Sequence, residues 1–423
     1  MMKPLPGPDD IVTHDLPNGI RLLIRENPYC ESVACLGYLQ AGAIADPDDL
    51  LGLADFTAAA LMTGTERHDL QSLFTLIESI GASMHFSSGT NITDFSAQCL
   101  KEDLPVIFDL LSDILQHPTF PQKQFNRLKA QSLTGLAIRA QDTAEMAALE
   151  FDKMLYQGHP YARPEEGFVE TVQKITIPDL ARFHRQYYGP KDMVMVVVGA
   201  ASPEFVIESI QESLGSWHNP DQVLPSPIPT MTAQLKSCRS HVEIPEKSQS
   251  DIVMGSRGPS RDSQDYLPCL LGNNILGQFG MMGRIGDVVR EKEGLAYYAQ
   301  SNLNAGHGPG AWEFVAGVNP ENMEKTISLI KKEIKRYVQK GVTIEELEDT
   351  KSFFISRQPL SLESNLGVAI SLINMQRFDL GFDYLQRYAG NVSAVTGDMI
   401  MEASRHYLSA ENLVVASAGK PIS

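Results

Sequence analysis

The chain has 423 residues, too many for one ordinary hydrophobic core, so two domains of about 200 residues each are expected. Apolar residues make up 43% and charged residues 21%, the balance of an ordinary soluble globular protein. The formal net charge of −17, with no basic patch, argues against a nucleic-acid partner; an acidic surface serves solubility and at most favours basic peptides.

The opening residues Met1-Met2-Lys3-Pro4-Leu5-Pro6-Gly7 lack the apolar stretch of a signal peptide, and no apolar run reaches transmembrane length. Cys30, Cys35, Cys99, Cys238 and Cys269 are scattered and odd in number. They read as small buried hydrophobes of a reducing compartment, not as a disulfide framework. A cytoplasmic location is expected, or a periplasmic one if a signal peptide has been removed.

Asn18-Gly19 precedes Ile20–Arg25 and predicts a hairpin. Gly42-Ala43-Ile44-Ala45-Asp46-Pro47 leads into Gly52-Leu53-Ala54-Asp55-Phe56-Thr57-Ala58-Ala59-Ala60-Leu61, which predicts a helix closed by Met62-Thr63-Gly64-Thr65. Gly81 to Ala97 has strand composition, including Ala82, Ser83, Met84 and His85. Gln122 to Ala140 predicts a helix with no Asp or Glu in it. His68 reads as a surface residue, and His159 in His159-Pro160-Tyr161 as a structural one.

A domain-sized repeat organises the chain. Val172, Ile175, Leu180, Tyr187 and Gly199 recur as Val392, Val395, Ile400, Tyr407 and Gly419, at a constant offset of 220. Between the copies, Asn219 to Pro229 carries four prolines and reads as an extended linker. The expected domains are residues 8–215 and 236–423, joined by a Pro-rich linker at 216–235. Strands alternate with amphipathic helices in both, which predicts α+β domains with helices packed on largely antiparallel sheets.

In the second copy, Ile285, Val288 and Val289 predict one apolar helical face, with Arg290 near the helix end and Gly294 able to turn the chain. Leu295 to Leu303 predicts a strand, in which Tyr297 and Tyr298 point to opposite faces. Asn304 to Gly310 lacks the features of a phosphate loop and reads as a hairpin loop. Trp312, Phe314, Ala316 and Val318 alternate as a half-buried strand. Met323 to Lys340 predicts a helix, and Thr343-Ile344-Glu345-Glu346 a capping box for the next one.

The helix at Gly52 and its flanks resemble the zinc-binding segment of the M16 metallopeptidases, the family of pitrilysin, insulysin and the mitochondrial processing peptidase, in its short bacterial form. In that family the motif is H-x-x-E-H: two His bind zinc and the Glu activates water. Here those positions hold Asp55, Ala58 and Ala59. The third ligand of the family is a Glu on a later helix, and Gln122–Ala140 supplies no carboxylate. The resemblance therefore implies no metal in this chain, with zinc expected in a partner. Asp55 reads as a solvated or capped polar residue, or as a vestige of a ligand.

Asn273 to Arg284 and Val289 to Tyr298 resemble a second M16 signature, an arginine–tyrosine pair. The resemblance implies that Arg290 and Tyr297 stabilise the oxyanion of a scissile peptide. The plainer alternatives are a solvated Arg290 paired with Glu291 or Glu293, and a Tyr297 that packs on a sheet. The family also implies two similar domains facing each other across a cleft, with the strand at Ala82–His85 pairing with an extended peptide. The expectation is a non-catalytic subunit that joins a homologous zinc-bearing chain as a heterodimer, handles peptide substrates and is no enzyme alone. A purely structural subunit and a stand-alone peptide-binding protein are the alternatives.

Overall fold

The computed structural model describes residues 5–231 and 237–420. Residues 232–235 of the expected linker, and 1–4, 236 and 421–423 of the spans named above, lie outside the described residues.

Two mixed sheets carry the fold. The first contains β1 (Val12–Asp15), β2 (Arg21–Glu26), β3 (Ser32–Leu39), β4 (Ser83–Ser88), β5 (Thr93–Leu100) and β6 (Val194–Gly199), in the order β1-β2-β6-β3-β5-β4. The second contains β7 (Cys238–Glu243), β8 (Ser250–Gly258), β9 (Ala296–Asn304), β10 (Gly310–Val318) and β11 (Val414–Gly419), in the order β7-β11-β8-β10-β9. Each sheet is antiparallel except for one parallel pair, β2 with β6 and β7 with β11. β1 and β2 form the expected hairpin, with Gly19 at φ 103°.

The same strand order, β2-β6-β3-β5-β4 against β7-β11-β8-β10-β9, is the structural form of the repeat. The helices Ile177–Tyr187 and Gly397–Tyr407 keep its offset, as do β6 and β11. Gly199 and Gly419 close those strands at φ 154° and 149°. A Cβ on Gly199 would sit 2.4 Å from the Ser32 carbonyl oxygen, and one on Gly419 2.3 Å from Ser250 Oγ. Ser32 and Ser250 open β3 and β8, so both glycines are held by the same close approach of neighbouring strands.

The chain folds into two compact units that exchange a helix. One takes residues up to Leu136, Pro164–Ser226 and Pro359–Gln386; the other takes Ala137–Arg163, Pro227–Gln358 and residues from Arg387 onward. The duplicated sequence spans and the compact units differ by this exchange. The helix Asn365–Arg377, from the second copy, covers Leu36, Tyr38, Val196 and Val198 on the first sheet through Val368, Ala369 and Leu372. The helix Thr143–Leu155, from the first copy, covers Val253, Ala311, Val414 and Ala416 on the second sheet through Ala147, Phe151 and Leu155. Full burial of a Leu or Phe side chain is worth about 1.5–3 kcal/mol, so each exchanged helix contributes several such increments.

This exchange changes the reading of β10. Trp312, Phe314, Ala316 and Val318 are buried as their alternation implies. The strand was expected to be half-buried, but Ala311 and Val315 on its other face meet the helix Thr143–Leu155. The strand is therefore covered on both faces. The helices Met323–Lys340 and Gln122–Arg139 form as expected, and Thr343 and Glu346 exchange the two bonds of a capping box, at 2.7 and 3.2 Å. All five cysteines are free; Cys35, Cys99 and Cys269 are buried, whereas Cys238 is exposed at the start of β7. His159 is buried and structural: its Nδ1 accepts the Tyr161 N–H at 3.1 Å, and its Nε2 lies 2.9 Å from the Pro229 carbonyl oxygen.

Candidate functional site

In the first unit the segment that holds Asp55, Ala58 and Ala59 is the helix Leu53–Leu61. Gly52 takes φ 95° to start it. The buried Asp46 then caps it, accepting the N–H groups of Gly52, Leu53 and Ala54 at 2.8, 3.1 and 2.9 Å. A carboxylate that satisfies three orphan donors at a helix N-terminus fixes the entry of the chain. Asp46 lies in the flank Gly42–Pro47, six residues before the helix cap, a separation at which the sequence alone does not mark a capping residue.

The helix packs beside β4, and Phe56 meets Phe125 of the helix Gln122–Arg139 with ring centroids 5.3 Å apart. The residues at positions 55, 58 and 59 do not fit zinc. The Ala58 methyl is buried, the Ala59 methyl is exposed, and neither offers a lone pair. The helix Gln122–Arg139 faces this segment with no acidic side chain. Among the described residues no three His, Cys, Asp or Glu side chains could hold a metal ion.

Asp55 is the one ionisable group of the three positions. Burial raises its pKa, and the charges of Glu166 and Glu165 raise it further, to about 6. Burial beside two further carboxylates favours the neutral form of Asp55.

β4 is an edge strand, hydrogen-bonded only to β5 among the described strands. Ala82 and Met84 turn toward the core, while Ser83 and His85 are exposed. This backbone edge has the form that accepts an added strand.

In the second unit, Arg290 and Tyr297 come from adjoining segments. Asp287–Lys292 winds as a wide π turn rather than the end of an α-helix. Val289 is buried and Val288 half-buried, so Arg290 is carried at the rim with its side chain 38% exposed. Gly294, at φ 63°, donates its N–H to the Arg290 carbonyl at 3.0 Å, and Leu295 donates to Val289 at 3.0 Å. These two bonds lead the chain directly into β9. Glu293 pairs with Lys325 at 2.6 Å, and Arg290 makes a loose 3.8 Å contact with Glu291. Tyr297 is 73% exposed. Tyr298 points the other way, and its hydroxyl donates to the buried Asp251 at 2.5 Å. Burial, the bond to Asp251 and that residue's charge all hold the Tyr298 phenol well above its ordinary pKa.

Residues 21–165 match the model of the insulinase peptidases, family M16, and residues 174–354 match the model of the M16 inactive domain. The chain belongs to the M16 peptidase family. It is 25% identical to a Helicobacter pylori protein named a non-peptidase homolog, YmxG, over 78% of this chain and 75% of that one. It is 22% identical to a Bacillus subtilis protein named an uncharacterized zinc protease, YmxG, over 82% of this chain and 83% of that one. Its fold matches the crystal structure of an M16 inactive domain from Pseudomonas fluorescens with a TM-score of 0.91 and 26% identity, covering 98% of this chain and 99% of that one. The chain is a non-catalytic type of M16 protein. No helix among the described residues is long and apolar enough to cross a membrane.

Proposed function

We propose that this M16 chain is the non-catalytic subunit of a heterodimeric zinc peptidase. It supplies Arg290 and Tyr297 to the active site of a homologous, zinc-bearing partner and helps bind extended peptides along β4. The observation that carries the reading is the asymmetry between the two motifs. The metal positions have decayed to Asp55, Ala58 and Ala59, whereas Arg290 and Tyr297 keep exposed donors on a tightly built turn.

The chemistry assigned to each residue is simple. A guanidinium and a phenol are both hydrogen-bond donors. Aimed at the carbonyl oxygen of a peptide bond, they stabilise the negative charge that grows there as water adds. The zinc and the general base belong to the partner, and this chain contributes neither. Loss of the ligands from this chain costs the complex nothing if one zinc site serves it.

The test is to mix the purified chain with an M16 chain that carries H-x-x-E-H. Peptidase activity should be low for each chain alone and high for the mixture, with one of each in the active species. A zinc-bearing chain that is fully active without this one would refute the reading.

A further inference from the structure

We propose that Lys292 and Lys325 are positioning residues for Arg290: they take the two carboxylates, Asp287 and Glu293, that would otherwise pair with its guanidinium. The inference deepens the reading of Arg290 given above and rests on it for its consequence in catalysis, whereas the pairing itself is testable in this chain alone.

Arg290 stands among acids. Asp287 lies three residues before it, Glu291 beside it and Glu293 three residues after it. Residues three or four apart on a helix are surface neighbours, so an Arg flanked in this way is expected to pair with Asp287 or Glu293. The pairs run elsewhere. Lys292 Nζ meets Asp287 Oδ2 at 2.5 Å, and Lys325 Nζ meets Glu293 Oε2 at 2.6 Å. The contact of Arg290 with Glu291 is longer, at 3.8 Å.

Two features of the fold cause this. The first is the π turn Asp287–Lys292. A wide turn closes bonds between residues five apart, so it stacks residue 292 over residue 287, where an α-helix would stack residue 290 or 291. The second is the helix Met323–Lys340, which carries Lys325 in its first turn. A cation there opposes the helix dipole, so the helix itself does not favour a lysine at this place. The Lys325 bond and charge, with Lys332 adding to them, hold the Glu293 carboxyl below its usual pKa. A carboxylate seated on Arg290 would occupy the donors that a developing oxyanion needs.

The test labels the full chain with phenylglyoxal and follows Arg290 by peptide mass spectrometry. The reagent attacks the neutral guanidine, so a carboxylate that pairs with Arg290 slows it. An exposed pair of this kind is worth about a factor of two in occupancy. Lys292→Ala and Lys325→Ala should therefore each slow the labelling of Arg290 about twofold, and together about fourfold. Adding Asp287→Asn to the first and Glu293→Gln to the second should restore the parent rate, and Lys325→Arg should keep it. In the mixed complex with a zinc-bearing M16 chain, the double lysine variant should lower kcat by a similar factor and leave KM unchanged. A parent-like labelling rate in the double lysine variant, or a slowed rate that Asp287→Asn and Glu293→Gln do not restore, would overturn the proposal. So would a parent-like kcat of the double lysine variant where Arg290→Ala lowers kcat. A parent-like kcat with Arg290→Ala would instead remove the catalytic reading of Arg290, and the labelling would still decide the pairing.

Discussion

Tyr297 and Tyr298 are neighbours in β9 with opposite surroundings: the first is 73% exposed, and the second donates its hydroxyl to the buried Asp251 at 2.5 Å. Asp251 also accepts from Thr143, at the start of the exchanged helix, and from Gln249 at 3.0 Å. The inward tyrosine therefore ties β9 to β8 and to the helix Thr143–Leu155, and it sets which way the outward tyrosine faces. Gly317, opposite Tyr298, makes room for the ring: a Cβ there would lie 2.5 Å from Tyr298 Cε1.

Stability should follow this division. Tyr298→Phe leaves a buried carboxylate short of a donor and should cost about 1–3 kcal/mol in thermal or urea unfolding. Tyr297→Phe removes an exposed hydroxyl and should stay within about 0.5 kcal/mol of the parent. Equal effects would mean that the two rings do not differ as described.

Asp55 should make the chain less stable at high pH than at low pH. A carboxyl whose folded pKa of about 6 lies above its ordinary 3.8 binds protons more readily when folded. Its ionisation cost is absent below about pH 4 and complete above about pH 6. Asp55→Asn should therefore stabilise the fold by up to about 3 kcal/mol at pH 8, with the gain vanishing toward pH 4. A gain that is the same at both pH values would contradict the burial of a carboxyl beside Glu165 and Glu166 at this position.

The purified chain should bind no stoichiometric zinc. Restoring the motif with Asp55→His, Ala58→Glu and Ala59→His should still give no tightly bound metal, because Gln122–Arg139 offers no third ligand. Metal analysis after dialysis checks both statements. About one zinc per chain in the parent protein would contradict the reading of the site.

Much of this architecture is legible in the sequence because it is written twice. Apolar spacing at Leu180 and Ile400, and glycines at Gly199 and Gly419, mark equivalent helices and strands. The exchange of helices is not legible. The sequences of Thr143–Leu155 and Asn365–Arg377 tell that these helices have an apolar side, not which sheet that side will meet. The π turn at Asp287–Lys292 was expected as the end of an α-helix, because one extra residue per turn leaves almost no trace in apolar periodicity. The outward Tyr297 and inward Tyr298 followed from strand alternation, but Asp251 as the inward partner lies 47 residues away in sequence and only the fold reveals it.

We propose that Arg290 and Tyr297 complete a partner's active site. The direct test is kcat for peptide cleavage by the mixed complex of this chain with a zinc-bearing M16 chain. Loss of one preorganised oxyanion donor typically costs about 10²–10³ in rate, so Arg290→Ala and Tyr297→Phe should each lower kcat by that order while the complex still assembles. Tyr298→Phe, measured where the complex remains folded, should leave kcat nearly unchanged. Parent-like kcat in both the Arg290→Ala and the Tyr297→Phe complexes would contradict the account.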